Sequence, residues 1–373
     1  MVAIIPKRGL RDFDWLLALL AIGIVCFGTV QIRNAQPTET YWIKQLIGLG
    51  IAVVAMLLVA FNDYRKLINI APAFYIFGLL LLILVLVPGI GLKINGQRAW
   101  IRVPGIGQFQ PSEFVKVTTA MMLARYFGKY RASVLTLKEM AIGGFILALP
   151  IFLILLEHDV GQVLTYLPIL AIVLFLSAIK MRYVVGAIVL GVVLLPLAYW
   201  VGVKTNLVKH YQQERINVIL DPENADRRGF GYNTFQSILT IGEGGLFGAD
   251  TSAAHSQSSL KFLPEPHTDF IFAVTAGNSG FVGCILVLFA YVLLLSRLIA
   301  GAKRAPDRMG MLVIMAVVGG FTCQIFINIG MELGILPVIG VPLPLMSAGL
   351  ASLIATFIAI GFAISVQLRR FVN

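Results

Sequence analysis

An acidic residue stands where a polar segment of the chain runs into a long apolar stretch. Residues 262–272 read Phe-Leu-Pro-Glu-Pro-His-Thr-Asp-Phe-Ile-Phe, and the apolar stretch begins directly after Asp269. A carboxylate can act as a general base toward a hydroxyl group within hydrogen-bond reach. An ionisable side chain at membrane depth costs several kcal/mol unless it is paired or hydrated, so Asp269 is a candidate functional residue. Thr268 and Asp269 are also residue types that cap helix N-termini, and this structural alternative stays open.

A second chemical group lies in residues 108–116, which read Gln-Phe-Gln-Pro-Ser-Glu-Phe-Val-Lys. Pro111 suits the first position of a helix, and this start places Glu113 and Lys116 on one helix face. The N-terminus of such a helix attracts phosphate oxygens, and Lys116 adds a positive charge about one turn deeper. The alternative is a structural Glu–Lys pair that neutralises itself inside a helix bundle.

A third acid, Asp159, lies between two apolar stretches in the sequence Glu-His-Asp at 157–159. It is a candidate site residue, and a helix cap is the alternative. Three acids and one lysine from separate stretches are therefore predicted to meet on one side of a membrane, beside Arg98 and Arg102. A site for a charged, lipid-linked substrate needs such a convergence.

The composition indicates an integral membrane protein that positions these residues on helices. Hydrophobic residues make up 58% of the chain, charged residues 13%, and the mean hydropathy is +0.89, far outside the range of soluble proteins. Apolar stretches long enough to cross a bilayer of about 30 Å lie at 14–32, 41–61, 68–90, 111–130, 140–157, 160–179, 183–203, 268–300, 311–331 and 346–368. We predict an all-α membrane protein with ten transmembrane helices in a single domain, residues 1–373. The first stretch lacks a signal-peptide cleavage site and is predicted to be a retained helix.

The net charge of +11 is explained by membrane topology. Seventeen of the 29 Lys and Arg residues fall in the segments predicted to be cytoplasmic, and five fall in or beside the short external loops. The positive-inside rule then places both termini in the cytoplasm and the long loop at 204–267 outside. Excess positive charge also attracts anionic membrane lipid. A nucleic-acid partner is not expected.

The long external loop separates predicted helices 7 and 8. Such a loop is usually functional or disordered. Residues 211–215 and 233–241 are predicted to form short amphipathic helices at the membrane interface, and the glycines at 242, 244, 245 and 248 to form a turn before the helix that follows Asp269.

Other sequence signatures are weak. The three cysteines, Cys26, Cys284 and Cys323, lie in predicted helices without metal-ligand spacing and are interpreted as packing residues. The sequence contains no Walker-type phosphate loop, no His-Glu-x-x-His motif and no dinucleotide fingerprint.

Several longer motifs follow one another along nearly the whole chain. They are Asn95-Gly96 through Trp100-Ile101, Phe109-Gln110-Pro111-Ser112-Glu113 with Lys116, Asp159 with Gly161, Gly244-Gly245-Leu246-Phe247-Gly248, residues 262–272, Asn328-Ile329-Gly330, and the run from Gly334 to Pro344. On these motifs the chain resembles the SEDS (shape, elongation, division and sporulation) family, which comprises RodA, FtsW and SpoVE. The last run contains Ile-Leu-Pro-Val and Gly-Val-Pro-Leu-Pro, and it resembles the elongation-type RodA branch more than the division-type FtsW branch.

The resemblance implies a ten-helix bundle of the bacterial cytoplasmic membrane. It also implies a peptidoglycan glycosyltransferase that polymerises lipid II on the outer face of that membrane during cell elongation and shape maintenance. The implied partner is a class B penicillin-binding protein of the PBP2 type, which cross-links the glycan. The essential acid of the family falls on Asp269, its conserved glutamate and lysine fall on Glu113 and Lys116, and its fifth-loop acid falls on Asp159.

Glycan polymerisation needs a base for the acceptor hydroxyl and positive charge for the departing diphosphate. We assign the base to Asp269, and diphosphate contacts to Lys116, Arg98 and Arg215. Displacement by the hydroxyl inverts the donor anomeric carbon without a covalent glycosyl-enzyme. The remaining candidates for substrate binding are Glu113, Asp159, Ser112, His267 and Thr268. The sequence requires no cofactor, although carboxylates near a diphosphate can hold Mg²⁺ or Mn²⁺ without a dedicated motif.

Three segments depart from the family pattern. In the fifth loop, the usual Gln-Pro-Asp type of sequence reads Glu-His-Asp at 157–159. The usual Glu-Glu-Leu-Gly type of continuation reads Gly-Asn-Ser-Gly at 277–280, and the usual Ser-Tyr-Gly-Gly-Ser reads Ser-Ala-Gly-Leu-Ala at 347–351. These changes are consistent with a divergent substrate or partner, or with reduced activity.

Two other functions remain open, a lipid II flippase and a non-catalytic scaffold for the penicillin-binding protein. A transporter is expected to place polar groups through the full bilayer depth, whereas these groups cluster in the outer half, which favours the polymerase. Retention of Asp269, Glu113 and Lys116 counts against the scaffold.

Overall fold

The computed structural model describes residues 12–94, 96–103, 107–129, 135–205, 213, 217–218, 231–249 and 263–370. Its helices are α1 (Trp15–Ala35), α2 (Tyr41–Phe61), α3 (Tyr64–Asn69), α4 (Ala71–Leu86), α5 (Pro111–Gly128), α6 (Leu137–Leu156), α7 (Val160–Leu176), α8 (Met181–Lys204), α9 (Tyr232–Glu243), α10 (Ile271–Lys303), α11 (Arg308–Glu332) and α12 (Leu350–Leu368). The predicted helix at 233–241 is confirmed as α9. Residue 213 apart, the predicted helix at 211–215 lies outside the described residues.

The described helices confirm an all-α membrane protein. Seven of them, α1, α2, α6, α8, α10, α11 and α12, are long and apolar enough to cross a membrane, and α4 and α7 are shorter apolar helices. The remaining predicted span, α5, carries Glu113, Lys116 and Arg125 among its 18 residues. A span count of ten therefore stays a prediction.

The predicted span at 68–90 is divided into two helices. The short α3 ends at Asn69, and α4 begins at Ala71 with Pro72 in its first turn. A proline ring clashes with the carbonyl four residues earlier and lacks an amide donor, which favours a helix break at this position. The break places α4 as a separate helix that packs against α5.

A small antiparallel sheet of order β1-β2-β3 connects α4 to α5 and adds to the predicted architecture. Its strands are Gly91–Ile94, Gln97–Val103 and Gly107–Phe109. In β2, Arg98 donates its backbone amide to the Glu157 carbonyl at 3.1 Å and a guanidinium N–H to the Leu86 carbonyl at 3.3 Å. The sheet is thereby fastened to the ends of α4 and α6.

Helix α10 is broken at Gly280, which has φ 64° and ψ −164°. The glycine-rich turn at 244–249 lies against the break, where the amides of Phe281 and Val282 donate to the carbonyls of Gly245 and Leu246. Backbone groups of the turn thus replace helical partners at the break. The divergent segment 277–280 forms this break, and its Asn278 and Ser279 side chains bind the buried Gln31 of α1.

Helices α11 and α12 are the most buried of the seven candidate membrane spans. Helix α11 packs against α5, α7 and α10, and α12 packs against α2. Helix α8 is different, because none of its described residues in the membrane-spanning window is buried. Helix α5 packs against α4, α6, α7, α11 and α12, and most of its residues are buried. Its charged side chains must therefore find partners inside the bundle.

Ion pairs link the helix ends opposite to the segment that carries Asp269. Arg65 pairs with Asp307 at 2.8 Å, Arg297 with Asp14 at 2.8 Å, and Arg369 approaches Asp63 at 3.8 Å. Hydrogen bonds from Gly310, Tyr64 and Arg65 lower the Asp307 pKa although partial burial opposes them. This end of the bundle is the basic end that the sequence analysis placed in the cytoplasm.

Candidate active site

Asp269 lies two residues before α10, in a segment held by the connection between α11 and α12. The side-chain amide of Asn328 donates to the Asp269 carbonyl and to the Val341 carbonyl, each at 2.9 Å. The Ser347 hydroxyl donates to the Thr268 carbonyl at 2.5 Å, and the Ala348 amide donates to the His267 carbonyl at 2.8 Å. The divergent 347–351 segment therefore contributes directly to the position of Asp269.

The segment at 339–341 lies between Asp269 and the start of α7. A β-carbon built on Gly340 lies 3.3 Å from the Asp269 Oδ2 atom, and one built on Gly161 lies 2.6 Å from the Ile339 carbonyl oxygen. Gly340 has φ +71°, which favours glycine. The two glycines let this segment run close to both the carboxylate and α7.

Glu332, the last residue of α11, binds the first turn of α10. Its side chain is fully buried, and its two carboxylate oxygens accept hydrogen bonds from the amides of Phe272 and Ala273. Phe270 occupies the N-cap position of α10 and provides no side-chain hydrogen bond. The sequence suggested Thr268 or Asp269 as the cap of this helix. The residue that caps the amides of Phe272 and Ala273 is instead Glu332.

Glu113 and Lys116 form the buried pair predicted from their spacing. The Lys116 Nζ atom lies 3.3 Å from Glu113 Oε2, and both residues are over nine-tenths buried. Gln162 of α7 donates its side-chain amide to Glu113 Oε1 at 2.6 Å. The Glu113 carboxylate therefore receives donors from two helices, as a buried carboxylate requires.

Asp159 caps α7 and reaches α5. Its carboxylate accepts the Gln162 amide at 3.1 Å and the side-chain amide of Gln110 at 2.9 Å. Burial raises the Asp159 pKa to about 6, and the nearby Glu113 charge acts in the same direction. The cap that the sequence left as an alternative is present, and the same carboxylate also links the α7 and α5 ends.

Glu157 occupies the α6 C-cap, beside Asp159. Burial raises the Glu157 pKa to about 9, and the Asp159 charge adds to that effect. Its side chain is fully buried, and within the described part of the chain neither carboxyl oxygen has a hydrogen-bond partner. A protonated carboxyl group at neutral pH follows from this environment.

His267 stacks on Tyr41, the first residue of α2, with ring centroids 4.0 Å apart. Burial lowers the His267 pKa, so the ring is predominantly neutral near pH 7. Its Nε2 atom lies 4.0 Å from Glu265. The His267 ring therefore packs between α2 and the segment that precedes Asp269.

The remaining predicted site residues have mixed positions. Ser112 is fully buried, and its carbonyl accepts the Tyr166 hydroxyl at 2.6 Å. Thr268 is half-buried beside Asp269. Arg98 lies in β2 and binds the end of α4. Arg215 lies outside the described residues.

A cavity of about 30 Å³ extends from the Glu113–Lys116 pair toward the middle of the bundle. Gln324 and Thr356 add polar groups to its lining, and small residues of α11 and α12 form much of the rest. This volume is sufficient for water molecules. The described residues contain no group of three or more acidic, histidine or cysteine side chains placed to hold a metal ion. A divalent cation at the diphosphate stays a prediction from the sequence.

Sequence reasoning missed Gln162 and Glu332. Gln162 was not distinguishable from other polar residues of a first helical turn. Glu332 had a usable signal, because an acid at the end of an apolar span is expected to have a partner. The sequence did not identify that partner, which is 60 residues away.

Known proteins resemble this chain over nearly its full length. The family described as cell cycle protein, FtsW/RodA/SpoVE, matches residues 11–370. The chain belongs to this family. Among its FtsW/RodA/SpoVE relatives, peptidoglycan glycosyltransferase MrdB of Escherichia coli K12 is 33% identical over 358 residues, which cover 96% of this chain and 94% of MrdB.

Two solved structures share the fold of this FtsW/RodA/SpoVE protein. A chain of a peptidoglycan synthase complex that coordinates polymerization and crosslinking has a TM-score of 0.82 at 32% identity, covering 97% of this chain and 99% of that one. The rod shape determining protein RodA of Thermus thermophilus has a TM-score of 0.71 at 30% identity, with 97% and 98% covered. This chain therefore has the fold of a multi-pass membrane protein of the family.

Proposed function

We propose that this protein is a peptidoglycan glycosyltransferase that polymerises lipid II, with Asp269 as its general base. Its relative MrdB carries the name of that activity. The observation that supports the role of Asp269 is its placement. Its carboxylate lies against Gly340. The neighbouring Ile339 carbonyl lies against Gly161, at the end of α7 that holds Asp159 and Gln162.

The reaction joins an acceptor sugar hydroxyl to the anomeric carbon of the donor. Asp269 takes the hydroxyl proton while the oxygen forms the new bond, and the bond from that carbon to the diphosphate oxygen breaks. The diphosphate leaves with the bonding electron pair. We assign the diphosphate to Lys116 and the N-termini of α5 and α7, where its charge competes with the carboxylates of Glu113 and Asp159. Attack opposite to the leaving group inverts the anomeric carbon.

The further proposal is an elongation-type enzyme that works with a class B penicillin-binding protein. The similarity to MrdB and RodA supports the elongation-type branch. The structural similarity to a chain of a peptidoglycan synthase complex supports a cross-linking partner. We place both termini in the cytoplasm and Asp269 on the outer side, since the Arg65, Arg297 and Arg369 pairs lie at the opposite end of the bundle.

The test is polymerisation of purified lipid II by the detergent-solubilised protein with its cognate penicillin-binding protein, whose catalytic serine is removed. Wild type is expected to yield glycan ladders, and Asp269→Asn to lose them while remaining folded and in complex. Asp12→Asn is the control, because this acid lies at the opposite end near Arg370 and is expected to leave activity unchanged.

Two results would contradict the proposal. Full activity of Asp269→Asn would remove Asp269 from the chemistry. Absence of ladders from an intact wild-type complex would favour the flippase or the scaffold. Transfer of fluorescent lipid II across proteoliposome membranes then separates these two functions, because only a flippase accelerates it.

A further inference from the structure

We infer that Glu332 is a positioning residue for Asp269, acting through the first turn of α10. This inference rests on the proposed role of Asp269 as the base. In this role, the end of α11 determines the position of the Asp269 carboxylate.

The first turn of α10 has no cap of its own. Its N-cap residue is Phe270, without a side-chain hydrogen bond, and its first turn contains no acidic residue. The first amides of a helix have no partner within the helix. At Phe272 and Ala273, both buried, no solvent can replace one. The Glu332 carboxylate accepts from these two amides and supplies the missing cap from another helix.

Glu332 acts beside a second contact from the same helix face. Asn328 precedes Glu332 by four residues and donates to the Asp269 carbonyl at 2.9 Å. Residues four apart on a helix share a face. One turn of α11 therefore holds the backbone on both sides of Phe270, at Asp269 and at the amides that follow.

The alternative is that Glu332 only contributes to packing. Its backbone carbonyl also accepts the Ser237 hydroxyl of α9 at 2.8 Å, so the residue joins three helices. The side-chain contacts argue for more than packing, because a buried carboxylate needs strong hydrogen bonds and an apolar side chain would serve packing alone. Both of its oxygens are directed to the turn that follows Asp269.

The experiment compares Glu332→Gln and Glu332→Ala in the polymerisation assay, with the complex intact. An amide oxygen can replace one acceptor, so Glu332→Gln is expected to lower kcat about 10-fold, and Glu332→Ala about 100-fold, because small displacements of a catalytic group have effects of this size. The KM for lipid II is expected to change less than twofold. The control is Tyr75→Phe, which removes a buried hydrogen bond to the Ile146 carbonyl far from Asp269 and is expected to keep wild-type kcat.

Hydrogen exchange provides a readout that does not depend on activity. In Glu332→Gln, amides at 271–275 are expected to exchange faster, while those of the second half of α10, after Gly280, stay protected. Unchanged exchange at 271–275 would overturn the inference, as would wild-type kcat in folded Glu332→Ala. A kcat loss in Tyr75→Phe equal to that in Glu332→Ala would also overturn it, because the effect would then reflect general destabilisation.

The failure of this inference is distinguishable from failure of the proposed function. If Asp269→Asn is inactive and the Glu332 variants are normal, only the positioning role is lost. If Asp269→Asn is active, the base assignment fails, and with it the role proposed here for Glu332.

Discussion

The side-chain amide of Gln162 donates to Glu113 Oε1 at 2.6 Å and so joins the first turn of α7 to the first turn of α5. Lys116 approaches the same carboxylate from within α5 at 3.3 Å. On its own, the Glu113–Lys116 pair would only neutralise two buried charges. With Gln162 it also fixes two helix N-termini relative to each other, and these are the helix ends assigned to the diphosphate.

The first prediction concerns the loss of Lys116. Lys116→Met leaves a buried carboxylate without its cation and is expected to destabilise the protein by about 3 kcal/mol or more. The double variant Lys116→Met with Glu113→Gln removes both charges and is expected to recover much of that loss, while polymerisation stays low. Thermal unfolding in detergent measures the stabilities. Additive destabilisation in the double variant would show that the two charges do not interact.

The second prediction concerns Gly340. Gly340→Ala places a methyl group 3.3 Å from Asp269 Oδ2 and imposes a left-handed conformation on alanine, at a cost of about 1–2 kcal/mol. A loss of polymerisation of up to about 10-fold is expected, because the carboxylate must shift by a few tenths of an ångström. Gly89→Ala is the control, because Gly89 also has positive φ but no neighbour within 4 Å of the added carbon. Equal activity losses in both variants would argue against a specific effect at Asp269.

The third prediction concerns the contact between α7 and the 339–341 segment. A methyl group in Gly161→Ala lies 2.6 Å from the Ile339 carbonyl, so the segment or α7 must move. Lower stability and lower polymerisation are both expected. Gly144→Ala on α6 has open space at the added carbon and is expected to raise stability by about 0.5–1 kcal/mol, through helix propensity. Wild-type activity in Gly161→Ala would contradict the close approach.

The fourth prediction concerns pH, at the connection between α6 and α7. Because folding raises the Glu157 pKa to about 9 and the Asp159 pKa to about 6, the folded state binds protons more tightly than the unfolded state. These groups therefore make stability fall as pH rises, from about pH 4 to 6 for Asp159 and from about pH 4.5 to 9 for Glu157. Thermal midpoints in detergent, recorded from pH 5 to 9, measure the slope.

The matched variant for that slope is Glu157→Gln, which resembles the protonated acid. It is expected to approach wild type below about pH 4.5 and to become increasingly more stable than wild type as pH rises to 9, with a flatter profile. A profile parallel to that of wild type would show that Glu157 does not titrate in this range.

The local sequence predicted most helices, but the contacts that form the candidate site join residues far apart in the sequence. The start of α5 at Pro111 and the shared face of Glu113 and Lys116 follow from local sequence. The contacts of Glu332 with α10 and of Gln162 with Glu113 join residues 60 and 49 positions apart. Helical periodicity carries no information about such pairs, since it specifies a face and not the helix opposite to it.

The sheet and the helix breaks were missed for different reasons. Asn95-Gly96 is a hairpin signal, and it lies between β1 and β2. It was overlooked because β2, which reads Gln-Arg-Ala-Trp-Ile-Arg-Val, does not alternate regularly between apolar and polar residues. Pro72 marked the division of the span at 68–90. The break at Gly280 depends on a turn more than 30 residues away, so α10 alone could not reveal it.

Arg98 binds carbonyl groups at the ends of α4 and α6, through Leu86 and Glu157. Both are helix C-termini and carry negative partial charge, whereas α5 and α7 begin at the same end of the bundle with positive partial charge. Residue 98 therefore provides one donor to each of these helix ends, from the guanidinium at α4 and from the backbone amide at α6. At the electron-poor ends, the Asp159 carboxylate caps α7 and Glu113 lies in the first turn of α5. The alternating direction of the helices therefore places carboxylates at the helix N-termini and N–H donors at the helix C-termini on this face of the bundle.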